Sequence, residues 1–181
     1  MTGTAASHCG EMHLEMTKRR QEIEREVGRA VAKWDARWMA IAKEIGSWSK
    51  DRSRGVGCVI VGPYNELRST GFNGFPRGVN DELKSRLERP AKYRWTEHAE
   101  RNAIYNAARV GIPLEGCRMY LPWFPCMDCA RAIIQSGICE LICVKPDLAD
   151  AHWGADFAEV PQMLHEGGVR VRWWKAHSRK E

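Results

Sequence analysis

Two short segments concentrate the side chains that could do chemistry: Glu97-His98-Ala99-Glu100-Arg101-Asn102 and Phe124-Pro125-Cys126-Met127-Asp128-Cys129. Cys126 and Cys129 stand three apart, so on a helix start their sulfurs turn toward one point. The partial positive charge of a helix N-terminus favours thiolate over thiol. Two thiolates need further ligands to close a metal site, and a structural zinc site ordinarily takes four protein ligands. Here His98 is the best third, and no fourth His or Cys stands at motif spacing from it. Three ligands leave a position open for water, the mark of a catalytic zinc, which lowers the pKa of bound water toward ~7. A purely structural zinc site is the competing reading. Glu100 supplies a proton carrier. Residues two apart on a regular helix point nearly opposite ways, so Glu100 reaches a metal bound by His98 only where that metal lies over the first turn.

Each segment must open a helix. Thr96 reads as the N-cap of a helix over Glu97–Arg109, with Gly111 beyond its end. Pro125 presets the first position of a helix over Pro125–Ser136, closed by Gly137. Strands alternate with these helices: Val56–Val61, Glu66–Phe72, Cys117–Leu121, Glu140–Val144 and Val169–Trp173. Asn73–Pro90, rich in Gly, Pro and charge, reads as a loop, and Asp156–His165 as a further helix. Ile23, Val27, Val31, Trp34, Trp38, Ile41 and Ile45 recur at three- and four-residue steps, which predicts a helix from Lys18 to about Ser47. Core packing is its ordinary meaning, and its length invites a subunit contact. Residues 1–17 carry no fold signal and read as a flexible extension before one domain over 18–181. Strands alternating with helices predict an α/β layered fold.

The chain has 181 residues, 44% of them hydrophobic and 28% charged, with a net charge of +5. That mixture excludes collagen, a disordered acidic tail and a membrane bundle. No window approaches 18 uninterrupted apolar residues, so no membrane span is expected. The start of the chain lacks the pattern of a signal peptide, and a cytoplasmic location is expected. The mild positive charge suits an anionic ligand such as a phosphate without demanding a nucleic acid. The seven cysteines are an odd number, and no disulfide scaffold is expected. Cys58, Cys139 and Cys143 lie in apolar runs and read as small buried hydrophobes, with Cys9 in the terminal extension. The tail, with Arg170, Arg172, Trp173, Trp174, Lys175, Arg179 and Lys180, has the composition of a nucleic-acid contact. A last strand with a solvated basic end is the simpler reading.

His98-Ala99-Glu100 followed by Pro125-Cys126-x-x-Cys129 resembles the zinc-dependent cytidine/deoxycytidylate deaminase superfamily. Ser49-Lys50-Asp51, the Gly71-Phe72-Asn73-Gly74-Phe75-Pro76-Arg77-Gly78 loop, the stretch from His98 to Arg109 and that from Trp123 to Ile134 resemble its deoxycytidylate branch. The likeness runs from about Trp34 to Val144. It implies a three-layer α/β/α fold around a central mixed five-stranded sheet. It implies hydrolysis of dCMP to dUMP and ammonia, feeding thymidylate synthesis. One zinc ion would be held by His98, Cys126 and Cys129, while Glu100 passes a proton from water to ring N3 and then to the leaving amine.

Asn73 matches the asparagine that contacts the sugar in related deaminases, and Ala99, Arg54, Trp123 and Phe124 are the further substrate-binding candidates. Asn73 also reads as a turn residue, and both roles can hold at once. Trp123 and Phe124 wall a base pocket or simply pack the core. Arg52 and Arg54 precede the first strand near the expected phosphate end, and solvated surface arginines are the plainer reading of each. Gly74, Arg77 and Arg109 match effector positions of relatives that dCTP activates and dTTP inhibits, with Mg2+ accompanying a triphosphate effector. A homo-hexamer is implied as well. The alternatives are a deaminase of dCTP or of a 5-substituted dCMP, a polynucleotide deaminase acting on tRNA or single-stranded DNA, and a zinc-stabilised regulatory subunit. The Asn73–Pro90 insertion weighs against the polynucleotide reading, and Glu100 against the regulatory one.

Overall fold

The computed structural model describes the backbone of residues 5–175 and the side chains of residues 15–175, so the side chain of Cys9 and residues Arg179 and Lys180 lie outside it. Contacts divide the chain after Ala36. The first unit is the leading part of α1 (Ala5–Gly46). Ile23, Val27, Val31 and Trp34 are exposed along it. The periodic apolar pattern places the start of this helix at Lys18, but the backbone is helical from Ala5. Ala5, Ala6, Glu11, Met12 and Leu14 are good helix formers, and the single Gly10 does not stop a helix. Part of the segment read as a flexible extension is therefore helical.

The second unit, from Arg37, holds a five-stranded sheet in the order β2-β1-β3-β4-β5. Its strands are β1 (Gly57–Val61), β2 (Leu67–Phe72), β3 (Arg118–Leu121), β4 (Glu140–Cys143) and β5 (Arg170–Trp173). β1 runs antiparallel to β2 and to β3, whereas β3, β4 and β5 are parallel. The helices are α2 (Lys84–Leu87), α3 (Lys92–Trp95), α4 (Ala99–Arg109), α5 (Met127–Gln135) and α6 (Gly154–Glu166). The short α2 and α3 flank the end of the stretch read as a loop over Asn73–Pro90.

Successive strand residues face opposite sides of the sheet, and both sides are covered. On one side Cys58, Ile60, Met119, Leu121, Leu141 and Cys143 pack against Ala103 of α4, Ile133 of α5 and Phe157, Val160 and Leu164 of α6. On the other side Val59, Val61, Tyr120 and Ile142 meet Trp38, Met39 and Ala42 from the end of α1. The result is the expected three-layer α/β/α arrangement around a mixed five-stranded sheet. Gly71 lets α4 come down onto β2: a Cβ there would collide with the backbone of Ala99 and Ala103. The loops after β3 and β4 and the N-termini of α4, α5 and α6 gather at one end of the sheet. Open α/β sheets bind ligands beyond the carboxyl ends of their strands, which is this end.

Candidate active site

His98 is the N-cap of α4 and Cys126 the N-cap of α5, both in extended backbone conformation and neither side chain spent on capping. Each helix thus starts two residues later than the sequence suggests, with a metal-ligating residue just outside it. Cys129 sits in the first turn of α5. His98 Nδ1 lies 3.4 Å from the sulfur of Cys126 and 3.4 Å from that of Cys129. The three ligand atoms all fall within 4.8 Å of one another. Tetrahedral zinc, with bonds of about 2.3 Å to sulfur and 2.0–2.1 Å to nitrogen, sets an N···S edge of about 3.5 Å, so the donor set fits zinc.

The electrostatics suit a cation as well. Hydrogen bonds from Cys129 and His98 lower the Cys126 thiol to about 4, against the effect of burial. The hydrogen bond to Cys126, with burial, pushes Cys129 well up. Two thiols at this spacing share one negative charge, and a bound dication is what lets both ionise. Among the described residues this is the one cluster of His, Cys, Asp and Glu at ligating distance, and its soft donors support zinc and give no support to Mg2+.

Glu100, in the first turn of α4, is 4% exposed. Burial pushes its carboxyl above the ordinary carboxylate range. The divergence of residues two apart on a helix does not apply, because His98 precedes the helix with an extended backbone. Both side chains line one cavity of about 270 Å³.

That cavity brings together most of the residues read from sequence as substrate contacts. Ala99, Trp123, Phe124, Asn73 and Arg54 all line it. Asn73 is buried and turned to the backbone: its Oδ1 accepts from Val56 N at 2.7 Å, and its Nδ2 donates to Arg54 O at 3.0 Å. It therefore fixes the chain entering β1. Phe124 packs edge-on against Phe157, with ring centres 5.4 Å apart, so it serves the core as well as the cavity wall.

The other candidates lie elsewhere. Arg52 is exposed and outside the lining. Gly74 pairs through its backbone with Glu97 and borders a smaller neighbouring cavity of about 190 Å³. Arg77 is exposed and bonds Asn106 on α4, and Arg109 is exposed at the end of that helix.

The cavity also has walls that no sequence pattern announces. Tyr93 stacks on His152 with ring centres 3.9 Å apart, and Trp153 stands edge-on to His98 at 5.3 Å. The Asp150 carboxylate accepts from the backbone N–H groups of His152 and Trp153, which shapes this loop. Asp156 Oδ2 accepts from Met127 N at 3.0 Å and ties the start of α6 to that of α5. Lys92 and Asp51 complete the wall as an ion pair.

Residues 32–145 match the family described as the cytidine and deoxycytidylate deaminase zinc-binding region. An uncharacterised deaminase from the luxG 3′ region of Aliivibrio fischeri is 42% identical over 146 residues, covering 79% of this chain and 95% of that one. The deoxycytidylate deaminase of Homo sapiens is 35% identical over 147 residues, covering 77% of this chain and 78% of its own. In fold, the chain is similar to the crystal structure of dCMP deaminase from the cyanophage S-TIM5 in apo form. The TM-score is 0.62 at 22% identity, over 77% of this chain and 96% of that one.

Proposed function

This chain belongs to the cytidine and deoxycytidylate deaminase family, and on that premise we propose that it hydrolyses dCMP to dUMP and ammonia with one zinc ion. The observation that carries the reading is the cluster of His98, Cys126 and Cys129, of which His98 and Cys126 line, with buried Glu100, a cavity that Arg54 also lines.

His98, Cys126 and Cys129 hold the zinc, which when bound supplies Lewis-acid activation of water. Glu100 takes a proton from the attacking water and delivers it to ring N3, then carries the second proton, from the hydroxyl now on C4, to the amine, which leaves as ammonia as the C4–N bond breaks. Trp123 and Phe124 wall the base, and the wall excludes bulk water from it. Ala99, buried at the start of α4, lets the ring approach closely. Asn73 orients the sugar and holds the Arg54 backbone, and the Arg54 guanidinium receives the 5′-phosphate. The reading gives Gly74, Arg77 and Arg109 to a dCTP or dTTP effector and the chain to a homo-hexamer, both on family resemblance alone. It places the enzyme in the cytoplasm, where the ligating thiols stay reduced.

Ammonia release by the zinc-loaded protein tests the reading, on dCMP beside deoxycytidine, CMP, dCTP, 5-methyl-dCMP and a single-stranded oligonucleotide. A charge-assisted phosphate contact contributes roughly 1.5–3 kcal/mol, so kcat/KM for dCMP should exceed that for deoxycytidine about 10- to 100-fold. Equal values, or faster deamination of the oligonucleotide, overturn it.

A further inference from the structure

Lys92 is a buried lysine at the start of α3, only 8% exposed. Lysines are almost never buried without a partner. Its Nζ donates to both carboxylate oxygens of Asp51, at 3.1 and 2.9 Å, and to Ser53 Oγ. All three of its protons are thereby engaged. Asp51 in turn accepts from Ser53 N at 2.9 Å and from Ser53 Oγ at 2.6 Å, an Asx-type turn that leads directly into Arg54. Arg54 O is held from the other side by Asn73. Lys92, Asp51, Ser53, Arg54 and Asn73 all line the one cavity.

We propose that Lys92 is a positioning residue that sets the preference for a 5′-phosphorylated substrate, by neutralising Asp51 and fixing the Ser53-Arg54 turn. The inference rests on the dCMP reading above. Apart from Glu100, the charged groups of the cavity wall are Arg54, Arg89 and Lys92 against Asp51 and Asp150. Without the Lys92 cation the wall has no positive excess, and the bare Asp51 carboxylate repels an anionic substrate. A carboxylate left unpaired in a partly buried site also costs stability, which loosens the turn that aims Arg54.

The test is the ratio of kcat/KM for dCMP to that for deoxycytidine in the wild type, Lys92→Met, Lys92→Gln and Lys92→Arg. Zinc content and Tm are measured for each. In Lys92→Met and Lys92→Gln the ratio should fall about 10-fold or more, with the loss in KM for dCMP rather than in its kcat. Lys92→Arg, which keeps the charge, should restore most of it. If Lys92→Met does not fold, Lys92→Gln, which keeps a hydrogen-bonding end, carries the test. A wild-type ratio that survives Lys92→Gln overturns this inference alone, as does an equal loss on both substrates. A wild type with no preference for dCMP overturns the functional reading and this inference with it.

Discussion

The guanidinium carbon of Arg54 lies 3.5 Å from the centre of the Trp123 ring. The arginine comes from the turn before β1 and the tryptophan from the loop after β3, so the contact joins two separate walls of the cavity. A cation over an aromatic face is worth about 0.5–2 kcal/mol, more where water is excluded. Trp123→Ala should therefore raise KM for dCMP by about 2- to 30-fold, and Trp123→Phe by much less. Steady-state kinetics check this, and a KM unmoved in Trp123→Ala would separate Arg54 from phosphate binding.

Glu100→Gln keeps the shape of the side chain and removes its proton transfer. Turnover should drop by on the order of 10²-fold or more, the usual scale for a lost general acid/base. Zinc content and Tm should stay near wild type. Metal analysis beside an ammonia assay distinguishes this from a folding defect, and wild-type turnover refutes the role.

Cys126→Ala removes a ligand that sits 3.4 Å from His98 Nδ1. Most of the zinc should be lost on dialysis, since two remaining protein ligands bind it far more weakly. Atomic absorption on the purified variant reads this directly. Full retention of zinc sinks the ligand assignment.

Asp51 gives a pH dependence with a definite sign. Burial pushes its carboxyl up, but hydrogen bonds from Ser53 and Lys92 outweigh this and hold it below its ordinary value. The folded pKa is thus below the unfolded one near 3.9, so the pair stabilises the fold above about pH 4 and stops doing so as pH falls through the folded value. Asp51→Asn should lower Tm at neutral pH, and the gap to wild type should narrow below about pH 4. A gap independent of pH would refute the sign.

The zinc cluster was legible because its chemistry is local: Cys126 and Cys129 share one helix start, and His98 and Glu100 share another. The fold class was legible because β-branched runs such as Val59-Ile60-Val61 alternate with helical patterns. The boundaries erred where a residue was doing something other than capping. Thr96 looks like an N-cap, yet His98 takes that position, and Pro125 stands before α5 rather than inside it. Lys92, Tyr93, His152 and Trp153 carried no readable signal. They meet only because the segment around α3 and the loop before α6 converge on the same end of the sheet. A lysine in a charged, irregular stretch reads as solvated, and nothing in the sequence says that it is buried against Asp51.

β1 is buried along its whole length and hydrogen-bonded on both edges, to β2 by a tight hairpin and to β3 across the entire segment that carries α2, α3 and α4. β2 follows β1 closely along the chain, but the second partner, β3, is synthesised much later. Until then Cys58-Val59-Ile60-Val61 presents an uncovered apolar edge. Sheets assembled from such distant pairings fold slowly, because the chain must close a long loop before the contact rewards it. The strand directly after the Arg54 turn is therefore also a segment through which half-made chains can stick to one another. Refolding yield should be governed by protein concentration before it is governed by zinc.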